Sequence, residues 1–403
     1  MMKNLWGLVV LFSLSMCLTS CEDVLGHWEK PAPLVPGGGY SVTSISLNKT
    51  SLELFVEGGE KTATLTATLV GEPGNEKVEF SSSDDTKATV DPTTGEVTAV
   101  GGGEVTIYAN IGPTLEAQCK VMVYDKLHDI STGAANIPAG KLWMITGTGN
   151  QKITIAEGSS AYLKDVKITT TAGSCIETTG MGEIYLVDGT TNTMDAHGAD
   201  NFAAVNTAAG QLTIYGQTEG TGKLNATGGR YGAGIGGNLN GNFKAVTILG
   251  GVIEANGGSD AAGIGTGQFN DASSSYTNGN ITISGGKVTA KGGYSAAGIG
   301  TGYILHGMSP ATCGAIKIDK TVVSVTAIKG SDAPDCIGKG RSVDTSEALC
   351  AGIFFDTQKV ADAAHDGASA YTTAPTAGPY GGLTLAISTT KNTGDTWTLT
   401  PTN

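Results

Sequence analysis

The chain has 403 residues, enough for two or three domains at about 150 residues each. Its 61 glycines and 15% charged residues would fit disorder only if the apolar residues were scattered, and they instead recur at regular positions. A net charge of −13 with no basic run leaves no electrostatic footprint for nucleic acid, so none is expected as a partner.

Residues 1–20 read as an export signal: Lys3, an apolar run from Leu5 to Leu18, then small residues before Cys21. The run is too short and wrongly flanked for a spanning helix. Leu18-Thr-Ser-Cys21 resembles the lipobox of bacterial lipoproteins. The resemblance implies cleavage before Cys21, lipidation of that residue, and membrane contact through the lipid alone. Ordinary secretion with a chance cysteine is the alternative. Glu22-Asp23 resembles the acidic signal that sends lipoproteins of the Bacteroidetes to the cell surface, implying an outer-membrane, surface-exposed chain. Residues 21–41, rich in proline and glycine, read as a tether.

From Val42 the pattern alternates with period two, as in Leu52-Glu-Leu-Phe-Val56 and Ala63-Thr-Leu-Thr-Ala-Thr-Leu69, with turns every 8–12 residues. That is the signal of an antiparallel β-sandwich over residues 42–125. Ser44-Ile-Ser-Leu-Asn-Lys49, Ser81-Ser-Ser-Asp84 and Thr94-Gly-Glu-Val-Thr-Ala-Val-Gly101 resemble the bacterial Ig-like domain of group 2. Phe80 departs from that family, which usually carries tryptophan there.

Residues 126–403 obey a longer period. Strand pairs are predicted to begin at Ile153, Ile184, Leu212, Val246, Ile281, Ile316 and Ile353, spaced 31, 28, 34, 35, 35 and 37 residues. The unit Val246–Gly265 aligns with Ile281–Gly300 without a gap, so Ala-Ala-Gly-Ile-Gly recurs as a rung segment. A lone Gly232-Ala-Gly-Ile-Gly-Gly237 would spell a phosphate loop, but repetition argues for a solenoid. Three short strands per rung, with Ile264 and Ile299 facing inward, predict an all-β chain: an Ig-like sandwich, then a right-handed parallel β-helix with a C-terminal cap. A calcium-binding β-roll would need an aspartate in every nine-residue repeat, and the repeats lack it. Over residues 150–360 the Gly-Gly and Ala-Gly-Ile-Gly spacing resembles the glycine-rich β-helix repeats of bacterial adhesin-like and carbohydrate-binding surface proteins. That resemblance implies a non-catalytic surface protein whose partner is a glycan or a cell-surface receptor.

The stacked inter-rung loops are the candidate binding face, with Asn240, Phe269, Asp271, Tyr276, Tyr303 and His306 as candidate ligand contacts. Amides and carboxylates meet hydroxyls there, and aromatic rings can cover sugar faces. Cys313 and Cys350 each stand three residues before a strand start, so stacking makes them a candidate disulfide. No Cys-x-x-Cys or His/Cys cluster implies a metal, and no cofactor is implied, although stacked Asp319 and Asp356 are a candidate calcium pair. No catalytic residues are assigned. Polysaccharide lyases and hydrolases share the β-helix fold, so an enzyme of that class and a purely structural spacer remain the alternatives.

Overall fold

The computed structural model describes residues 42–271, 276–305, 311–343, 348–362, 376–390 and 394–402. The export signal, the tether, Cys21 and His306 lie outside the described residues. Among the described residues every regular element is a strand except one 3-10 turn, Ile130–Thr132.

The sandwich runs from Ser44 into the first part of strand Leu115–Asp129. Ser44–Leu47 pairs antiparallel with Ala67–Val70, and Thr62–Thr64, Glu96–Ala99 and Ala88–Val90 form a second small sheet. Glu79–Ser82, Gly103–Ile111 and Leu115–Asp129 form the main antiparallel sheet, and Ser51–Glu57 joins it in parallel. Alternation sends Leu54, Val97, Ile107 and Val121 into one core, together with Phe80, which fills the place expected for a larger ring. Cys119 is buried in the same core.

Strand Leu115–Asp129 does not stop at the domain boundary. Its first part pairs with Gly103–Ile111, while Lys126–Asp129 pairs in parallel with Trp143–Thr146 of the solenoid. The expected division at 125/126 therefore falls inside one continuous strand. Asp125 fastens this joint: its carboxylate accepts from Leu142 N at 2.9 Å, Lys141 Nζ at 2.9 Å and Gly102 N at 3.3 Å. Burial opposes that charge, but these donors outweigh it and hold the carboxyl below its usual range.

The solenoid has three parallel walls. One holds Ala135–Ile137, Ile153–Ile155, Ile176–Thr178, Val205–Asn206, Ile235–Gly236, Ile264–Gly265, Ile299–Gly300 and Ile337–Gly338. The other two carry the strand pairs exemplified by Val246–Ile248 and Val252–Asn256. Val246, Ile281, Ile316 and Ile353 stack as the sequence spacing predicts. The early register differs. Ile153 belongs to the Ile-Gly wall, and Leu212 pairs with Gly182 rather than Ile184. The cause is a growing rung: 18 residues from Leu142 to Ser160, 23 from Ser160 to Glu183, and 30 from Glu183 to Thr213. A fixed period near 35 residues cannot follow that growth.

In the later rungs the loops themselves pair. Tyr276–Thr277, Ala311–Cys313 and Ala348–Cys350 form a further parallel ladder, and Phe269, Ile304 and Ser342 are joined by single bridges. At the far end, Gly394–Pro401 pairs antiparallel with Ser324–Ile328 and with Leu383–Thr390. Leu383, Leu385, Trp397 and Leu399 are buried in the solenoid core, so this hairpin covers the open edge.

Glycine is required where rungs approach most closely. A Cβ on Gly293 would lie 1.7 Å from Gly258 O, and one on Gly265, at φ +139°, would lie 1.9 Å from Gly300 O. Gly293→Ala should therefore lower stability by roughly 3 kcal/mol. Tyr294→Ala, at a 59% exposed side chain, should cost under about 0.5 kcal/mol. Urea unfolding followed by circular dichroism checks both, and equal midpoints for the two variants would contradict the close-packed register.

Candidate functional site: a tyrosine-floored cleft at the domain joint

The Ala-Ala-Gly-Ile-Gly segments carry no ligand site. Ile264 and Ile299 are fully buried, and Ile264 N and Thr266 N donate to Gly298 O and Gly300 O of the next rung. Amides spent on the ladder cannot cradle a phosphate.

The proposed loop face is partly core. Phe269 and Tyr276 are 0% and 3% exposed, with ring centroids 4.2 Å apart, and pack with Ile304. Neither ring offers a face to a sugar, which corrects their assignment as contacts. The further β-ladder in these loops is what draws them inward. Asn240 is occupied with Asn270, donating to its Oδ1 at 2.5 Å and accepting from its backbone N at 2.7 Å. Asp271 is half-buried and accepts the Tyr276 hydroxyl through its backbone carbonyl at 3.2 Å. Tyr303 is half-buried beneath the Arg341 guanidinium, 5.4 Å from the ring centre.

Asp319 and Asp356 do flank neighbouring rungs, but each has a lysine partner: Lys317 at 2.8 Å from Asp319 and Lys320 at 3.9 Å from Asp356. Ser284 Oγ also donates to Asp319 at 2.5 Å. Among the described residues no group of three or more His, Cys, Asp or Glu side chains is placed to hold a metal ion. Cys313 and Cys350 are stacked register partners, carried in the structure as buried thiols rather than as a bridge.

A cleft of about 1280 Å³ opens at the joint between sandwich and solenoid. The sandwich contributes Glu53, Glu104 and Lys120, and the solenoid contributes Tyr162, Tyr185, Asp188 and Gln217. Tyr162 and Tyr185 in its lining belong to a tyrosine ladder that continues to Tyr215 beside the cleft. Tyr162, Tyr185 and Tyr215 are register partners on three successive rungs. Their rings stack at 4.4 Å and 4.6 Å with interplanar angles of 3° and 7°. Tyr124, on the strand shared by both domains, meets Tyr162 edge-on at 5.0 Å and stacks on Phe55 at 5.3 Å. In-register stacking forces this arrangement, because equivalent outward residues on parallel rungs lie about 4.8 Å apart.

Tyr124 and Tyr162 are buried, 1% and 5% exposed, in the core at the joint, whereas Tyr185 and Tyr215 are half-buried and present ring edges and hydroxyls. Carboxylates order those hydroxyls. Tyr185 Oη donates to Glu183 at 3.2 Å, Tyr215 Oη to the same carboxylate at 3.5 Å, and Tyr124 Oη to Glu53 at 3.3 Å. Ser160 Oγ donates to Glu183 at 2.8 Å, and Lys164 lies 3.8 Å from Glu53. Asp188 is committed to the scaffold, accepting from Glu219 N and Thr221 N at 2.8 Å each. Burial resists its charge, but these donors hold its pKa below the usual range. The phenols of Tyr124, Tyr162 and Tyr185 are pushed well above the usual tyrosine value, first by burial and then by neighbouring carboxylates and phenols.

The ladder went unseen in the sequence because its tyrosines are spaced 23 residues from Tyr162 to Tyr185 and 30 from Tyr185 to Tyr215. These intervals match the growing rungs and not the 35-residue period. A tyrosine directly after each inward Ala161, Ile184 and Ile214 was the available signal.

Residues 41–121 match the bacterial Ig-like domain (group 2) family. Residues 219–239, 246–268 and 281–303 match the β-helix repeat family. Over these residues the chain carries a bacterial Ig-like domain followed by β-helix repeats. No curated protein matches it. Among solved structures it is similar to domains 4 and 5 of the S-layer protein SbsC, at 26% identity over 21% of this chain and 53% of that one, with a TM-score of 0.18. The chain thus spans about half of that structure, and the likeness is too slight to carry an argument. Ig-like and β-helix repeat modules together mark a surface or adhesion-type protein.

The raised phenol pKa values have a testable consequence. A folded pKa above the unfolded value of about 10 means the neutral phenols support the fold below that pH, and this support is lost as pH rises through the folded values. Ultraviolet titration should show Tyr124, Tyr162 and Tyr185 still protonated at about pH 11 in the folded chain, ionising together with alkaline unfolding. Titration of all 12 tyrosines near pH 10 with the fold intact would contradict the raised values of these three phenols.

Proposed function

We propose that the chain is a non-catalytic, lipid-anchored surface protein that binds a neutral glycan in the joint cleft and adheres through it. The single observation that carries this reading is the half-buried pair Tyr185 and Tyr215, whose hydroxyls Glu183 orders at rung spacing beside the cleft, with Tyr185 in its lining. Hydroxyls and carboxylates at rung spacing supply repeated hydrogen-bonding positions, which suit a polymer of hydroxyl-bearing units. Glu53, Glu60, Glu104 and Asp188 line the cleft against Lys49 and Lys120, a balance that disfavours an anionic polysaccharide.

Glycoside hydrolysis needs a carboxylic acid with a raised pKa beside a second carboxylate. Asp260 and Asp335 have raised pKa values, in each case chiefly by burial, and neither lines the cleft. A lyase of this fold needs an arginine or lysine as proton acceptor; Arg230 and Arg341 lie outside the cleft, while Lys49 and Lys120 line it. Anchoring rests on Leu18-Thr-Ser-Cys21, and surface exposure at the outer membrane rests on Glu22-Asp23.

A glycan array probed with the full chain, followed by titration calorimetry, tests the proposal. A neutral glycan should bind, and Tyr185→Ala or Glu183→Gln should weaken it at least about tenfold, the loss of roughly 1–3 kcal/mol of hydrogen bonding and packing. Tyr303→Ala should leave binding unchanged. Melting curves for each variant separate lost binding from lost fold. Loss only in Tyr303→Ala would move the site to the loop face. Release of reducing ends or unsaturated sugars from any polysaccharide would overturn the non-catalytic reading.

A further inference from the structure

Two thiols meet in the core of the last rungs. Cys313 and Cys350 are register partners at the ends of neighbouring parallel strands, Ala311–Cys313 and Ala348–Cys350. They are 0% and 1% exposed, and both belong to the solenoid core. The Cys350 thiol, on the register partner of Cys313, donates to Gly338 O at 3.5 Å. Partners on adjacent parallel strands have Cα atoms about 4.8 Å apart, within the roughly 4.4–6.8 Å that a disulfide spans. The remaining buried thiols have separate surroundings. Cys336 donates to Asp395 O at 3.1 Å, Cys175 donates to Ile168 O at 3.7 Å, and Cys119 sits in the sandwich core.

We propose that Cys313 and Cys350 are a cystine site, bridged when the chain folds in contact with a disulfide oxidant. In the cell this draws on the export reading above, and the two are tested separately below. One thiolate attacks the oxidant's disulfide, giving a mixed disulfide and releasing one oxidant thiol. The second thiolate attacks the protein sulfur of that intermediate and releases the other. Two S–H bonds are lost and one S–S bond forms. The two protons end on the released thiols, and the oxidant takes up two electrons. The finished core buries both sulfurs, so the exchange belongs to folding rather than to the completed rung.

The location gives the bridge a purpose. Cys313 and Cys350 directly precede Ile316–Ile318 and Gly352–Phe355, the last parallel pair of the solenoid. Gly352–Phe355 then turns back antiparallel with Gln358–Asp362. A covalent tie at this point holds the final rung in register where the parallel stack ends. The tie closes a long loop, which restricts the unfolded chain and thereby favours the folded one.

The test uses the full chain, unfolded and then refolded in reduced and oxidised glutathione, quenched with an alkylating reagent and digested with trypsin without reductant. Cleavage after lysine and arginine places Cys313 in residues 292–317, Cys336 in 330–339 and Cys350 in 342–359. The expected result is 292–317 joined to 342–359 at the mass of a disulfide, with 330–339 alkylated. Reduction, or Cys350→Ala, should then lower the melting temperature by about 5–10 °C. Alkylated 292–317 and 342–359 from a refolded chain with native circular dichroism would overturn the proposal. The same digest on protein isolated from cells without reductant reads the compartment. A bridge there supports both readings. Free thiols there, with a bridge on refolding, overturn export and leave the cystine site standing.

Discussion

Every outward and inward position of this solenoid is governed by one constraint: parallel strands stacked in register, each about 4.8 Å above the last. Hydrogen bonding fixes that interval, so equivalent residues on successive rungs must tolerate direct contact with their counterparts. Inward, this yields columns such as Val246, Ile281, Ile316 and Ile353, each covered above and below by an aliphatic neighbour. At the tightest corners it admits glycine alone, because a Cβ on Gly258, Gly293 or Gly330 would lie within 1.8 Å of a backbone carbonyl of the neighbouring rung. Outward, the same interval stacks the rings of Tyr162, Tyr185 and Tyr215.

The two ends of the stack are treated differently. The hairpin of Leu383–Thr390 and Gly394–Pro401 closes one end by pairing antiparallel with Ser324–Ile328. The other end runs into the sandwich, since Leu115–Asp129 serves both domains and supplies the edge for Trp143–Thr146. Tyr124, Met144, Tyr162 and Val187 form a small core of their own at this joint. A shared strand, a shared core and the Asp125 carboxylate leave little freedom for a hinge there. The cleft is a product of that joint: the sandwich supplies one lip, and the early rungs supply the floor.

Much of the architecture was legible in the sequence, and the limit is physical. The rungs from Val246 onward have nearly constant length, so their columns align without gaps and the Ile-Gly wall is visible as a repeat. The early rungs lengthen from 18 to 23 to 30 residues between the successive register partners Leu142, Ser160, Glu183 and Thr213, and a fixed period misplaces Ile153 and Ile184. The tyrosine ladder stands on those rungs, so the error in register hid the site. Phe269 and Tyr276 mislead in the opposite way. Polar, glycine-rich surroundings mark their segments as loops, yet Tyr276 pairs with the next rung and Phe269 is bridged to it, so both rings enter a core.

The central claim is that ligand is met at the joint, on a floor built by register. Hydrogen–deuterium exchange of the full chain, with and without a glycan selected by array, tests it most directly. The account predicts new protection in the strands lining the cleft, Ser51–Glu57, Gly103–Ile111, Ser159–Thr169 and Gly182–Leu186. Protection confined to residues 266–305, with those strands unchanged, would contradict it.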